Sequence, residues 1–329
     1  MKRFALILFS LFILISLSSC SAHTKNVSVF YYDADDIFLN ALNEKLTEKL
    51  SKNYNCKNYY AKKSQLKQNL QVDKALDDSS LLLMNMVDRL ASGAIVEKCK
   101  KKNVPVVFFN REPLLEDMIA YDDCYYVGPN PDKQGRLQVS VAASIFGDPS
   151  DLNDKYDLNN DNVIQLVILK GEQGHQDAER RTQACLSELR QKGYNIELIS
   201  IGVCNWSRQE AYNLFWRQYN TTLKNAELIL SNNDEMAIGA ANYIKSVSTK
   251  DEIIPIIGVD ATKDGISAVE NHLLYSTIVN DDKAQAEAVY QLAGIFLDES
   301  KTIDDLDFEI SNSKFIYIDS SIYDGKEGE

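Results

Sequence analysis

Between Asp157 and Arg181 the chain reads DLNNDNVIQLVILKGEQGHQDAERR, and two kinds of chemistry lie within it. Asp157, Asn159, Asp161 and Gln165 place side-chain oxygens at alternating positions, with the Val163 carbonyl among them. A hard cation such as calcium takes about six to eight oxygen ligands, and a turning loop with this spacing can aim its donors at one centre. After the apolar run VIQLVILK come His175, Asp177 and Arg181. An imidazole, a carboxylate and a guanidinium at the carboxyl end of a strand can cradle a polar ligand. The same residues are also ordinary helix-start chemistry, with Asp177 and Glu179 near the positive end of the dipole.

The loop has the spacing of the EF-hand calcium loop and departs from it at two places. Its sixth position is Asn162 rather than Gly, and Asn tolerates the left-handed backbone that such a turn needs. Its twelfth is Ile168, inside the apolar run, where a bidentate Glu belongs. A carboxylate must therefore come from elsewhere in the chain. Taken in isolation, the motif also fits an Asx-rich surface turn.

Strands and helices alternate along the whole chain, and they must position these groups. VSVFYY, LLLMNM and VPVVFFN read as strands, with helices over Phe38–Leu50, Ser64–Leu76 and up to Lys100. After Tyr125-Tyr126-Val127 the alternation resumes with a helix near Gln134–Phe146, and Gly147–Asn160 reads as a loop. VIQLVILK, NIELISI, ELILS, IIPIIGV and LYSTIV follow, separated by helical segments such as Glu179–Lys192 and Met236–Ser246. Near-continuous apolar strands are those of parallel sheets covered on both faces. Two successive blocks of this kind make an α/β protein of two doubly wound parallel-sheet lobes. Ligands of such sheets sit outside the carboxyl ends of the strands. Tyr32, Asp36, Asn110, His175, Asn233, Asp260 and Asn280 all fall there, and they come from both blocks.

At 329 residues the chain is long enough for two domains. A net charge of −13 argues against phosphate-backbone binding to nucleic acid and against a polybasic membrane-surface role. Residues 1–19 form an export leader, with Lys2 and Arg3, an apolar run from Phe4 to Leu17, and small residues before Cys20. The ending Leu17-Ser18-Ser19-Cys20 resembles a bacterial lipobox, which makes Cys20 the expected lipidation site. Cys56, Cys99, Cys124, Cys185 and Cys204 remain, an odd number with no CxxC pair, unlike a disulfide framework.

VVFFNREP, DLNNDNVIQ, LKGEQGHQDAERRT, SNNDEMAIGA, IIGVDA and IVNDDKAQA occur in this order, and together they resemble the periplasmic galactose/glucose-binding proteins, receptors of sugar-importing ABC transporters. The resemblance spans essentially the whole chain after the leader. It implies a type I periplasmic-binding-protein fold with a three-segment hinge: a first lobe of residues 23–128 plus 280–311 and a second of 129–279 plus 312–329. It implies a pyranose held between two rings, matched by Phe38 and Trp206. A polar shell is matched by Tyr32, Asp36, Asn110, His175, Asp177, Arg181, Asn233, Asp260 and Asn280. It also implies a structural calcium ion on the Asp157–Gln165 loop, with Glu227 as the remote carboxylate.

The implied role is an extracytoplasmic lipoprotein on the outer face of the cytoplasmic membrane, or a periplasmic protein. It would deliver a monosaccharide, galactose or glucose, to ABC-transporter permease subunits. A co-receptor for a membrane sensor or chemoreceptor would use the same pocket. An enzyme is the main rival class, since Asp36, Asp177 and Asp260 could be offered for glycoside hydrolysis. No GxSxG, HExxH, P-loop or GxGxxG after the first strand accompanies them. Carboxylates among amides and Arg181 are expected to be ionised, which suits hydrogen bonding rather than acid catalysis. A DNA-binding regulator is excluded by the export leader. Of the two tryptophans, Trp206 is expected in the cleft and Trp216 in packing.

Overall fold

A computed structural model describes residues 25–247 and 254–325, so the leader and Cys20 lie outside the described residues. The first lobe opens with strand β1 (Asn26–Tyr31) and helix α1 (Ile37–Leu50). It continues through β2 (Asn55–Tyr60), α2 (Gln65–Ala75), β3 (Leu81–Met84), α3 (Ser92–Lys102), β4 (Val106–Phe109), the single turn α4 (Leu115–Met118) and β5 (Cys124–Pro129). The second begins with α5 (Pro131–Phe146) and a two-residue ladder, β6 (Gly147–Asp148) with β7 (Asp151–Leu152), inside the segment expected to be loop. Then follow β8 (Ile164–Lys170), α6 (Gln176–Gln191), β9 (Ile196–Val203), α7 (Arg208–Gln218), β10 (Leu228–Ser231) and α8 (Asp234–Val247). Completing the order are β11 (Ile256–Asp260), α9 (Lys263–Glu270), β12 (Ser276–Val279), α10 (Asp282–Leu297), β13 (Phe315–Ile318) and β14 (Ile322–Tyr323).

Two six-stranded sheets result, in the orders β13-β5-β4-β3-β1-β2 and β14-β12-β11-β10-β8-β9. Each is covered on both faces. Leu39, Leu42, Leu46 and Leu50 of α1 recur at helical spacing and pack with Val289 and Leu292 of α10 on one face of the first sheet. Val72 of α2 and Ile95 and Val96 of α3 cover the other. In the second lobe α7 and α8 pack on one face and α5 and α6 on the other.

The C-terminal segment differs from the expected lobe boundary. Residues 312–329 were assigned to the second lobe, but Phe315–Ile318 pairs in parallel with β5, in register Phe315 to Tyr126, and so lies in the first sheet. Only Ile322–Tyr323 joins the second, antiparallel to β12. The apolar FIYI run is buried by the first lobe, and the chain crosses back within Asp319–Ser321. Trp216 also departs from expectation. It is 66% exposed on the outer side of α7, while its neighbour Phe215 takes the core position.

Candidate functional site

Helices that follow parallel strands begin at the strands' carboxyl ends, so their capping residues face the ligand side of the fold. Asp36 caps α1 by accepting from the Leu39 N–H at 2.9 Å, and its other oxygen accepts from the Tyr32 hydroxyl at 2.7 Å. His175 caps α6, its Nδ1 accepting from the Asp177 N–H at 3.2 Å. Asn233, just ahead of α8, accepts from the Met236 N–H at 3.0 Å and donates to the Trp206 carbonyl at 3.3 Å.

These groups border one cavity of about 380 Å³ between the lobes. All eleven residues assigned to the ligand shell line it: Tyr32, Asp36, Phe38 and Asn110 from the first lobe, His175, Asp177, Arg181, Trp206, Asn233 and Asp260 from the second, and Asn280 where the chain crosses back. Strained backbone gathers at the same strand ends. Asn110, Asn205, Trp206, Asp260 and Ala261 all have positive φ, at 62°, 48°, 64°, 114° and 51°.

The second lobe supplies a rigid polar floor. Arg181 is buried, with its Nε on Gln134 Oε1 at 2.7 Å, one Nη on the Asn232 carbonyl at 3.0 Å, and the other 3.6 Å from Asp177. Asp177 is buried too, and its Oδ1 has no hydrogen-bond partner. A buried acceptor without a donor is the kind of vacancy that a ligand hydroxyl fills. Asn280 donates to Asp260 at 3.1 Å and accepts from Gln285 at 2.7 Å, which fixes both side chains.

Burial changes the protonation expected of these groups. Desolvation pushes Asp177 up to about 6 against the opposing pull of Arg181. Desolvation raises Asp260 above the ordinary aspartate value, Arg181 opposing and Asp234 adding to it. Against the expectation that these carboxylates are all ionised, desolvation at Asp260 works in favour of the protonated form, with Arg181 and the Asn280 hydrogen bond opposing it. Desolvation, then Arg111, Arg181 and Arg89, hold His175 neutral.

The rings stand where local packing holds them. Phe38 belongs to the first-lobe core yet lines the cavity. Trp206 meets His175 edge to face, with centroids 5.0 Å apart at 77°. Its indole lies on Gly171, where an added Cβ would come within 2.2 Å of the ring. Only glycine permits that approach.

Arg111 was not singled out from the sequence, where it is one more charge in the turn Asn110-Arg111-Glu112-Pro113. It lines the cavity, stacks 3.5 Å over the Tyr32 ring and reaches Glu172 at 3.1 Å. Its position one residue past Asn110, at a strand end, was the available signal.

The Asp157–Gln165 loop lies apart from this cavity. Asp157 is buried and accepts from the Asp161 and Asn162 N–H groups at 3.1 and 2.9 Å. Asn160 and Asn162 take left-handed backbone, φ 55° and 57°. Glu227 reaches the loop from the start of β10, accepting from the Leu158 N–H at 2.6 Å. Desolvation raises its pKa, and the charges of Asp157 and Asp161 raise it further. Gln165 donates to Asp161 at 3.0 Å, while its buried Oε1 has no partner. Asn159 donates to Asp161 at 2.9 Å, and the Val163 N–H donates to Asp161 at 2.9 Å. Three carboxylates, none in an ion pair among the described residues, with Asp157 and Asp161 acting on Glu227, and an orphaned amide oxygen fit a hard cation. No three His, Cys, Asp or Glu side chains among the described residues form a metal cluster by themselves, so such a site would need its amide and carbonyl oxygens.

Residues 27–301 match the family model described as a periplasmic binding protein domain. The D-galactose/methyl-galactoside binding periplasmic protein MglB of Haemophilus influenzae is 34% identical over 282 residues, covering 84% of this chain and 83% of that one. Among solved structures, an ABC transporter solute binding protein from Bacillus halodurans with bound myo-inositol superposes with a TM-score of 0.73 at 21% identity, covering 92% of this chain and 95% of that one. A periplasmic solute binding protein from Actinobacillus succinogenes with bound D-allose gives 0.76 at 17%, covering 92% and 98%. These two likenesses concern the fold. With the family model spanning most of its length, this chain belongs to the periplasmic binding protein domain family, whose members are substrate-binding proteins of transporters rather than enzymes.

Proposed function

We propose that the chain captures a galactose- or glucose-type monosaccharide between its lobes and delivers it, chemically unchanged, to an ABC importer. The convergence of eleven side chains from both lobes and the crossing on one cavity carries this proposal. A pyranose has hydroxyls that both donate and accept around its edge and apolar C–H groups on its faces. Asp36, Asn110, Asp177, Arg181, Asn233, Asp260 and Asn280 offer fixed donors and acceptors for the edge. Phe38 and Trp206 offer apolar surface for the faces. Glucose and galactose differ only at the C4 hydroxyl, and a carboxylate such as Asp36 can accept from either epimer. The 34% identity to a D-galactose/methyl-galactoside binding protein supports the galactose side of this choice.

Two further features belong to the same proposal. Calcium is held by Asp157, Asn159, Asp161, Gln165, the Val163 carbonyl and Glu227, and it stiffens the entry to β8 without touching the sugar site. Cys20 carries the lipid that keeps the receptor beside its transporter.

Calorimetric titration with a panel of aldoses tests the central claim. D-galactose or D-glucose should bind most tightly, and the recovered sugar should be unaltered. A panel with no binding, or a new product after incubation, overturns it.

A further inference from the structure

Three side-chain contacts span the lobes along one flank of the cleft. Arg111, from the turn after β4, reaches Glu172, from the turn after β8, at 3.1 Å. Glu112, next in the chain, accepts from Gln176 Nε2 at 2.6 Å and from Arg180 Nη1 at 3.4 Å, both on α6. Neither carboxylate lines the ligand cavity.

Arg111, Glu112 and Arg180 are each held in place within their own lobe. Arg111 donates to the Val87 carbonyl at 3.0 Å and stacks on Tyr32, whose hydroxyl bonds Asp36. Glu112 accepts from the Tyr317 hydroxyl at 3.0 Å, and its carbonyl accepts from Arg89 at 2.9 Å. Arg180 is clamped by Asp132 at 2.6 and 3.2 Å. These three side chains are therefore pre-aimed, and rotation about the hinge would separate the contacts together. The charges are neither fully buried nor fully exposed. Arg111 is 7% exposed and Glu112 10%, while Glu172 at 26% and Arg180 at 30% keep contact with solvent. Desolvation is thus incomplete, and a Coulomb term remains that salt can reach.

We propose that Arg111–Glu172 and Glu112–Arg180 form an ionic latch that holds the lobes together. The latch sets the residence time of a neutral ligand without the two glutamates touching it. Arg111 couples the latch to the cleft, because the guanidinium that reaches across the lobes also forms part of the cavity wall over Tyr32. Glu172 and Glu112 are positioning residues. The inference rests on the proposed monosaccharide function for its kinetic readout, but not for its conformational one.

The test uses the full chain, D-galactose and D-glucose, with Glu172→Gln, Glu112→Gln, and Glu172→Asp as the charge-keeping control. Removing one latch charge lowers the closed fraction, and the apparent affinity falls with it. Stopped-flow tryptophan emission should show dissociation about five- to tenfold faster in Glu172→Gln, association unchanged or slightly faster, and recovery in Glu172→Asp. In the wild type, raising NaCl from about 20 mM to about 500 mM should weaken binding of the uncharged sugar about threefold, and Glu172→Gln should lose most of that dependence. Solution scattering of the ligand-free proteins should give a larger radius of gyration for both Gln variants than for the wild type, at an unchanged melting temperature. Equal dissociation rates, or a loss confined to association, would overturn the latch. So would salt-independent wild-type affinity, which needs no variant to fold. If neither sugar binds the wild type, the ligand assignment fails and scattering alone decides. Identical radii then overturn the latch, and larger ones uphold it.

Discussion

Gly171→Ala is expected to impair the ligand site without removing any group that a ligand touches. The added Cβ would lie 2.2 to 2.5 Å from three atoms of the Trp206 indole. Ordinary contact between carbons begins near about 3.5 Å, so the ring must retreat by about 1 Å. Backbone strain does not contribute, because Gly171 is not among the positive-φ glycines. The indole cannot retreat freely either. His175 stands edge-on at 5.0 Å, and the Trp206 carbonyl is tied to Asn233 at 3.3 Å. A stacked ring contributes about 1 kcal/mol beyond its area, and a gap of about 1 Å forfeits up to about half of each contact. Together these give a loss of about 1 to 2 kcal/mol, or about 5- to 30-fold in Kd. Titration calorimetry with D-galactose and D-glucose measures the loss. Trp206 emission, read in a Trp216→Phe background that removes the exposed second fluorophore, reports the displaced ring. Wild-type affinity together with an unshifted spectrum would refute the geometry.

Three other outcomes are expected. Chelation should lower the melting temperature by about 5 °C or more and added calcium should restore it, since binding at about 100 times Kd stabilises by about 2.7 kcal/mol; Glu227→Ala should abolish the response, and an unchanged melt in demetallated protein counts against the ion. Labelling cells with a clickable fatty acid should mark the wild type and miss Cys20→Ala, and label retained in that variant would sink the anchor. Desolvation raises the buried Asp234 to about 7, against Thr277 and Thr262, which hydrogen-bond its charged form. The folded state thus holds that proton more tightly than the unfolded chain, so the associated stability is present below about pH 4 and is lost as pH rises towards 7, by up to about 4 kcal/mol. Asp234→Asn should flatten that part of the melting-temperature profile, and an unaltered profile would exclude Asp234 as its source.

Much of the fold could be read from the chain because its punctuation is local. Asp36, Ser64, Asn130 and Asp281 each cap the helix that follows, and each cap hydrogen bond lies within three residues in sequence. The cavity residues were traceable for the same reason: strand ends and helix starts meet on one side of each sheet. What escaped depends on distant partners. Arg111 gains its place through Tyr32 and Glu172, 79 and 61 residues away by sequence number, and through the Val87 carbonyl. The FIYI run is equally apolar whichever sheet receives it, and β5 rather than β12 does so. Trp216 looked like core because Phe215 adjoins it, yet neighbours on a helix point about 100° apart and only one can face inward. Asp260 reads as an ordinary turn acid until burial and the Asp234 charge raise its proton affinity.

The return of β13 to the first sheet has a consequence for the order of folding. Everything from α5 to β12 lies in one uninterrupted stretch, so the second lobe can assemble most of its sheet as soon as Val279 is available. The first lobe begins at Asn26 but needs α10 to cover one face and Phe315–Ile318 to close the edge beside β5. Those contacts join residues nearly 190 apart, and long loops must close before such pairings are rewarded. The half of the protein made first is therefore the half finished last. Until its final strand arrives, it presents the open edge of β5, with Tyr126 and Val127 unpaired on that side. A chain unfinished in this way is vulnerable to strand-edge association if the last fifteen residues are lost or delayed.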